Sequence, residues 1–259
     1  MVSELEVVEV GGVLSVTLAR PAKRNALTTQ MVRALRTVLD EAGRSRSVRT
    51  VLLRAQGAAF CAGRDLSDAV AGEDAAAILH EEINPLIESL SKVPQPTIAA
   101  VGGAAMGVGL GLALACDLVM ASPSAAFASP FARLGGILDS GGHWLLARRI
   151  GGSRTFRLIA TAEQIGGEDA YDWGLADLLV PDEELDTRAR ALAEVLANGP
   201  QDALREEKRL LAAAMTSTLA QTLALEATAQ GWAAGTADYR EGIAAFKEKR
   251  RPAFRLERP

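Results

Sequence analysis

The chain has 259 residues, 49% of them apolar and mostly Ala, Leu and Val, enough for one large core or a core with an appendage. A net charge of −4 and an aromatic content of 4% give no general attraction to nucleic acid or anionic lipid and argue against a base- or sugar-stacking surface. Two histidines, His80 and His143, and two cysteines, Cys61 and Cys116, in separate contexts predict buried reduced thiols rather than a disulfide or a zinc site. No basic stretch followed by an apolar run opens the chain, and no apolar run reaches membrane-spanning length, so a soluble cytoplasmic protein is expected.

In chain order, alternation over 6–9 and 13–19 predicts a hairpin around Gly11-Gly12. Thr28 or Thr29 is placed to cap a helix to about Ala42, with Met31, Leu35, Val38 and Leu39 facing the core. Thr50–Arg54 reads as a strand ending at the Gly57 turn, and Phe60-Cys61 continues extended. The polar, Ala-rich stretch to Glu73 suits a loop, with residues 68–77 expected to shape a pocket. A helix follows from Ala75 to Ser91, stopped by Pro94 and Pro96. Thr97–Val101 is a buried strand; 117–122 and 126–129 are further strands; 140–149 and 153–161 are helices. A short helix at 168–173 and a strand at 177–180 precede a helical remainder to about Lys249, punctuated by Gly199-Pro200. Strand, turn and helix thus recur at intervals, which suits either a parallel α/β fold or a spiral of repeated β-β-α units.

Two corners stand out. Pro96–Asp117 runs from the buried strand through Val101-Gly-Gly-Ala-Ala-Met-Gly107 into a small-residue helix. Without Cβ atoms a ligand reaches the backbone, and the first N–H groups of a new helix lack internal partners and carry the positive end of its dipole. Such a corner either binds an anion or stabilises an oxygen that becomes anionic, or is a tight turn packed in a core. A second corner, Phe60-Cys-Ala-Gly-Arg-Asp-Leu66, lies upstream. Leu112 and Leu114 break a dinucleotide-binding glycine pattern, and no phosphate-loop Lys-Ser/Thr is present.

Five segments in order, Arg20–Leu27, Phe60–Leu66, Pro96–Asp117, Phe131–Gly142 and Phe246–Phe254, resemble the crotonase, or enoyl-CoA hydratase/isomerase, superfamily. The resemblance implies an α/β spiral of β-β-α units over residues 1–198 and a C-terminal helical trimerisation region over 199–259. It also implies a coenzyme A thioester as substrate, no separate cofactor, no metal, and a homotrimer or dimer of trimers. Mapped onto this sequence, the family's oxyanion-hole donors become the backbone N–H groups of Arg64 and Val108, the latter following Gly107. Lys23, Arg24 and the carbonyl of Ala62 fall where family members touch CoA. Arg64's guanidinium is open to either a CoA phosphate or solvent, and Asp65 to bracing the turn.

The two glutamates with which hydratases of this family activate water are replaced by Gly111 and Phe131. One carboxylate remains nearby, Asp139, where related isomerases carry an Asp or Glu. The surrounding Asp139-Ser-Gly-Gly and Trp144-Leu-Leu elements look closest to the isomerase of phenylacetyl-CoA breakdown. A lone carboxylate among apolar groups can take a proton from one carbon and return it to another. The expected activity is therefore a double-bond shift with Asp139 as shuttle. Other CoA-thioester chemistry (hydration, hydrolysis), a non-catalytic acyl-CoA binder, and a purely helix-capping Asp139 or Ser140 are the alternatives. His143 could bond Asp139 or be an ordinary helix residue. Phe131 and Trp144 are expected to line the acyl pocket or pack the core.

Overall fold

The computed structural model describes residues 4–67 and 72–254. The chain opens with an antiparallel hairpin of β1 (Leu5–Val10) and β2 (Val13–Leu18), followed by α1 (Thr29–Arg44), whose Thr28 hydroxyl accepts the Met31 N–H at 3.2 Å. Then come β3 (Thr50–Ala55), β4 (Ala59–Cys61), α2 (Ala75–Ile78), α3 (Asn84–Lys92), β5 (Thr97–Val101), β6 (Ala104–Met106), α4 (Val108–Ala115), β7 (Leu118–Ala121) and β8 (Ala126–Ala128). After α5 (Gly142–Thr161), β9 (Gln164–Gly166), α6 (Gly167–Asp172) and β10 (Leu178–Leu179), four helices complete the described chain: α7 (Leu185–Ala197), α8 (Gln201–Ala214), α9 (Leu219–Ala233) and α10 (Ala237–Glu248).

Two sheets result, in the orders β1-β2-β3-β5-β7-β10 and β4-β6-β8-β9. Each successive turn of the chain gives one strand to each sheet, β3 then β4, β5 then β6, β7 then β8, before a helix returns it. This is the spiral of β-β-α units, and within each sheet those strands run parallel. Buried apolar strands such as β5, with every residue buried, are what a sheet covered on both faces requires. One face packs on α1, α3 and α4 through Met31, Leu35, Leu86, Leu90 and Leu110. The other receives α7, whose Ala189, Ala193 and Ala197 recur every four residues and meet Val13, Leu52, Ile98, Ala100 and Met120.

Several elements differ from the sequence reading. β6 falls inside the glycine-rich corner and β9 where no element was expected; each has three residues, too few to show alternation, and each is specified by its sheet partner. The helix expected across 75–91 contains a wide π turn at Leu79–Ile83, in which Asn84 N–H reaches Leu79 O. Pro85, next in line, has no N–H, and its ring would crowd the carbonyl four residues back; the widened turn relieves both. The two helices expected at 140–149 and 153–161 are both present within the span labelled α5: the first starts at Gly142, and they are separated at Gly151, whose φ of 77° is non-helical. A short 3-10 turn, Pro130–Leu134, follows β8, where no element was expected. The helical remainder breaks near Gly199-Pro200, as expected, and also before Thr218 and Thr236, which cap α9 and α10.

The helices after Gly199 are fastened to the rest by specific bonds. Lys208 Nζ on α8 lies 2.8 Å from Asp117 Oδ2, and that oxygen also accepts the Thr97 N–H. Arg49 reaches the carbonyls of Ala197, Gly199 and Phe254. Leu211, Met215, Leu219, Leu223, Trp232 and Phe246 are exposed on this region. Cys61 and Cys116 are buried and unbridged, and burial pushes both thiols up to about 12.

The segment Arg20–Leu27 proves to be a structural stitch. Asn25 is wholly buried with φ 55°; its Oδ1 accepts the Arg20 N–H at 2.8 Å, and its Nδ2 donates to the carbonyls of Gln56 (2.8 Å) and Ala59 (2.7 Å). The following backbone is laced to the corner after β4: Ala62 N–H to Arg24 O, Leu27 N–H to Gly63 O, and Asp65 N–H to Leu27 O. Asn25→Ala strands these backbone groups and places Ala in a left-handed conformation, so urea denaturation should show a loss of about 3 kcal/mol.

Candidate active site

Because β4, β6 and β8 are parallel neighbours, the turns leaving them open on the same edge of their sheet. The turn after β4 carries Ala62, Gly63 and Arg64; that after β6 carries Gly107 and Val108; that after β8 carries Pro130 and Phe131. Ligands in α/β sheets gather at the carboxyl ends of strands for this reason. All of these residues, together with Asp139, line one cavity of about 230 Å³. Its remaining wall is mostly aliphatic, from Leu66, Ala75, Ile78, Leu79, Ile83 and Leu134. Of the stretch expected to shape a pocket, 68–71 lies outside the described residues, whereas Ala75 lines the cavity.

The first two corners are pressed together backbone to backbone. A Cβ on Gly109, in the first turn of α4, would stand 2.3 Å from Cys61 O, and one on Gly63 would stand 3.2 Å from Met106 O. Side chains at these places would separate the two loops. Among the described residues no acceptor is bonded to the N–H of Arg64 or of Val108. Val108 is the first residue of α4, an eight-residue, fully buried helix, so its N–H sits at the positive end of the helix dipole.

Asp139 is half-buried, and its Oδ1 accepts the Ser140 hydroxyl at 2.7 Å. Burial raises its carboxyl above the usual carboxylate range; the Ser140 donor and the positive charge of Arg64 work in the other direction. Ser140 (φ 54°) and Gly141 (φ 72°) form a sharp left-handed turn, and the Gly142 N–H bonds the Asp139 carbonyl at 2.9 Å. No side chain caps α5, so capping does not explain either Asp139 or Ser140.

The positions expected to lack the hydratase carboxylates do lack them, for different reasons. A Cβ on Gly111 would lie 2.6 Å from Ser140 Cβ and 2.7 Å from Ser140 O, so the turn that carries Asp139 occupies that space. Phe131 turns its ring toward Gly107, whose Cβ would lie 3.6 Å from it.

Other expectations are corrected or refined. Arg64's guanidinium is neither free for a phosphate nor an open surface group: it makes a two-pronged ion pair with Glu73, at 2.5 and 2.9 Å. Sequence reasoning missed Glu73, because nothing in the intervening loop signals the pairing. Asp65 braces its turn, accepting the Ser67 N–H at 2.9 Å and Arg20 NH1 at 2.5 Å, and these donors hold its carboxyl far below the usual range. Lys23 and Arg24 are exposed and do not line the cavity, although Arg24 O bonds Ala62 N–H at its rim. His143 is exposed and makes no hydrogen bond to Asp139 among the described residues. Trp144, expected in the pocket or core, is 56% exposed with the Arg148 guanidinium 3.6 Å above its ring.

The enoyl-CoA hydratase/isomerase family profile matches residues 9–257, and the chain belongs to that family. It is 42% identical over 94% of both chains to a protein of Rhodobacter capsulatus described as a probable enoyl-CoA hydratase. It is 40% identical to the 1,2-epoxyphenylacetyl-CoA isomerase of Escherichia coli K12, over 94% of this chain and 95% of that one. Among solved structures, the enoyl-CoA hydratase of Bacillus anthracis superposes with a TM-score of 0.92 at 32% identity, covering 98% of this chain and 100% of the other. The spiral β-β-α fold and the resemblance to isomerases of phenylacetyl-CoA metabolism are thereby established.

Two stability measurements probe the site. Gly111→Ala forces the Ser140 turn to move and should cost about 1–3 kcal/mol, read by denaturant unfolding. Asp139→Asn should be more stable than wild type at neutral pH, where the buried carboxylate is ionised. Its advantage should shrink as pH falls through the raised folded-state value, because the wild-type folded state then takes up the proton more readily than the unfolded chain.

Proposed function

We propose that this protein is an enoyl-CoA isomerase that moves a double bond along an acyl-CoA thioester, with Asp139 carrying the proton. The observation that supports this most is the pairing of a single half-buried carboxylate with two unbonded backbone N–H groups around one apolar cavity.

In this reading the thioester carbonyl accepts hydrogen bonds from Arg64 N–H and Val108 N–H. Loss of a proton from the α carbon puts negative charge on that oxygen, and two fixed donors, one of them at the N-terminus of α4, stabilise it; each such donor typically contributes about 3 kcal/mol to the transition state. Asp139, ionised, takes the α proton of a 3-enoyl thioester. The electron pair delocalises over the dienolate, and Asp139 returns the proton at the γ carbon, giving the conjugated 2-enoyl thioester. No proton is gained or lost overall. The raised pKa of Asp139 makes it a stronger base for the first step, and the dienolate formed is basic enough to take the proton back from the resulting acid. Hydration needs a water held between two carboxylates; Gly111 and Phe131 supply none, and the space beside Gly111 is filled by Ser140. Ala62 lines the cavity and its N–H bonds Arg24 O; in this reading the Ala62 carbonyl and the exposed Lys23 and Arg24 side chains meet the CoA portion, and Phe131 bounds the acyl end. The exposed apolar residues of α8, α9 and α10 support assembly as a homotrimer or dimer of trimers, and the same reading carries a cytoplasmic location.

The test is spectroscopic. A 3-enoyl-CoA should gain conjugated-thioester absorbance in the presence of the protein, whereas a 2-enoyl-CoA should keep it. Loss of absorbance from the 2-enoyl substrate would favour hydration, and an acyl-CoA bound without change in either would make the protein a binder. Asp139→Asn should lower kcat about 10²–10⁴-fold while calorimetry shows acyl-CoA binding retained. The rate of the wild type, plotted as kcat/KM, should fall on the acid side as Asp139 protonates, with a midpoint above that of an ordinary aspartate.

A further inference from the structure

The cavity contains a charge arrangement that the proposed reaction does not by itself require. Arg64 contributes both a backbone N–H and a guanidinium to the neighbourhood of Asp139, and a cation beside a general base is a disadvantage, since it weakens the base. The guanidinium is not loose. Both of its terminal nitrogens are engaged by Glu73, NH1 to Oε1 at 2.5 Å and NH2 to Oε2 at 2.9 Å, and the two side chains are 28% and 24% exposed. A fork-to-fork pair of this kind fixes direction as well as distance. The charged group acting on Asp139 is Arg64; the Ser140 hydroxyl is its hydrogen-bond donor, and the nearest other titratable group in sequence, His143, is exposed on α5. Arg64 and Asp139 line the same cavity, whereas Glu73 is not part of that lining.

We propose that Glu73 is a positioning residue: by holding the Arg64 guanidinium in a two-pronged pair it keeps that cation from capturing Asp139, and so preserves the basicity the proton transfer needs. Glu73 touches no reacting atom. Its carboxylate neutralises much of the Arg64 charge and occupies the donors that would otherwise turn toward the cavity. This inference rests on Asp139 being the base, and its experiment separates the two ideas.

The measurement is kcat/KM against pH for wild type, Glu73→Gln, Arg64→Met and the double variant, with a 3-enoyl-CoA substrate. Arg64→Met keeps the backbone N–H. In Glu73→Gln the uncompensated guanidinium pairs with Asp139, so the acid limb should move down by about one pH unit and the plateau kcat should fall several-fold with little change in KM. In Arg64→Met the limb should move up. The double variant should have the same acid limb as Arg64→Met, because the effect of Glu73 on Asp139 runs through Arg64. A Glu73→Gln limb coincident with wild type, or a Glu73→Gln effect of equal size in the Arg64→Met background, would overturn the proposal. Should Glu73→Gln fail to fold, Glu73→Asp and Arg64→Met decide it: the first should leave the limb in place, and an unmoved limb in the second would refute the role. If instead Asp139→Asn retains the full wild-type profile, the failure lies in the assignment of the base.

Discussion

The contact on which the site depends is the one between Gly109 and the carbonyl of Cys61. Parallel pairing of β4 with β6 brings two chain reversals to the same sheet edge, but pairing alone leaves room between them. Only a residue without Cβ lets the first turn of α4 sit against the end of β4, since a methyl there would stand 2.3 Å from a carbonyl oxygen. With that approach, the N–H at the start of α4 and the N–H of Arg64 border a common cavity. The stitch through Asn25 holds the other side of the first corner by three side-chain bonds and three backbone ones. The site is thus made chiefly of backbone, and its side chains are added to a frame already fixed.

Asp139 shows how one strained turn serves two purposes. Residues 140 and 141 in left-handed conformations reverse the chain abruptly, presenting the carboxylate to the cavity while the Gly142 N–H ties the backbone behind it. The same reversal fills the space beside Gly111. A carboxylate on α4 and the observed turn are therefore alternatives, not additions. The chemistry open to this pocket follows from a choice of backbone path as much as from the residues that happen to be acidic.

Much of this was legible from residue types. The two glycine-rich corners, the first hairpin, the Thr28 cap and the small-residue helix each follow from local rules, and five segments carry the resemblance to the family. What was hidden has a common cause. β6 and β9 are three residues long, so no periodicity marks them, and yet β6 is the strand that lines up the second corner. The Arg64–Glu73 pair spans a loop without pattern, the π turn answers a proline by a geometry no propensity scale contains, and the Gly111–Ser140 contact joins residues brought together only by the packing of α4 on α5. Trp144 was misread because its apolar bulk suggests burial, whereas its side chain lies on the surface under Arg148. Sequence signals described turns and faces; cross-chain distances had to come from the fold.

Cys61 lies one residue before the first corner, and a conjugated thioester, the product of the proposed shift, is an electrophile that thiolates attack at the β carbon. Its sulfur is fully buried beneath the strand, within 3.8 Å of the Gly63 carbonyl, with a pKa pushed up to about 12. The nucleophilic form is thereby almost absent at neutral pH. Under the proposed reaction, burial thus guards a thiol next to the site against alkylation by the product.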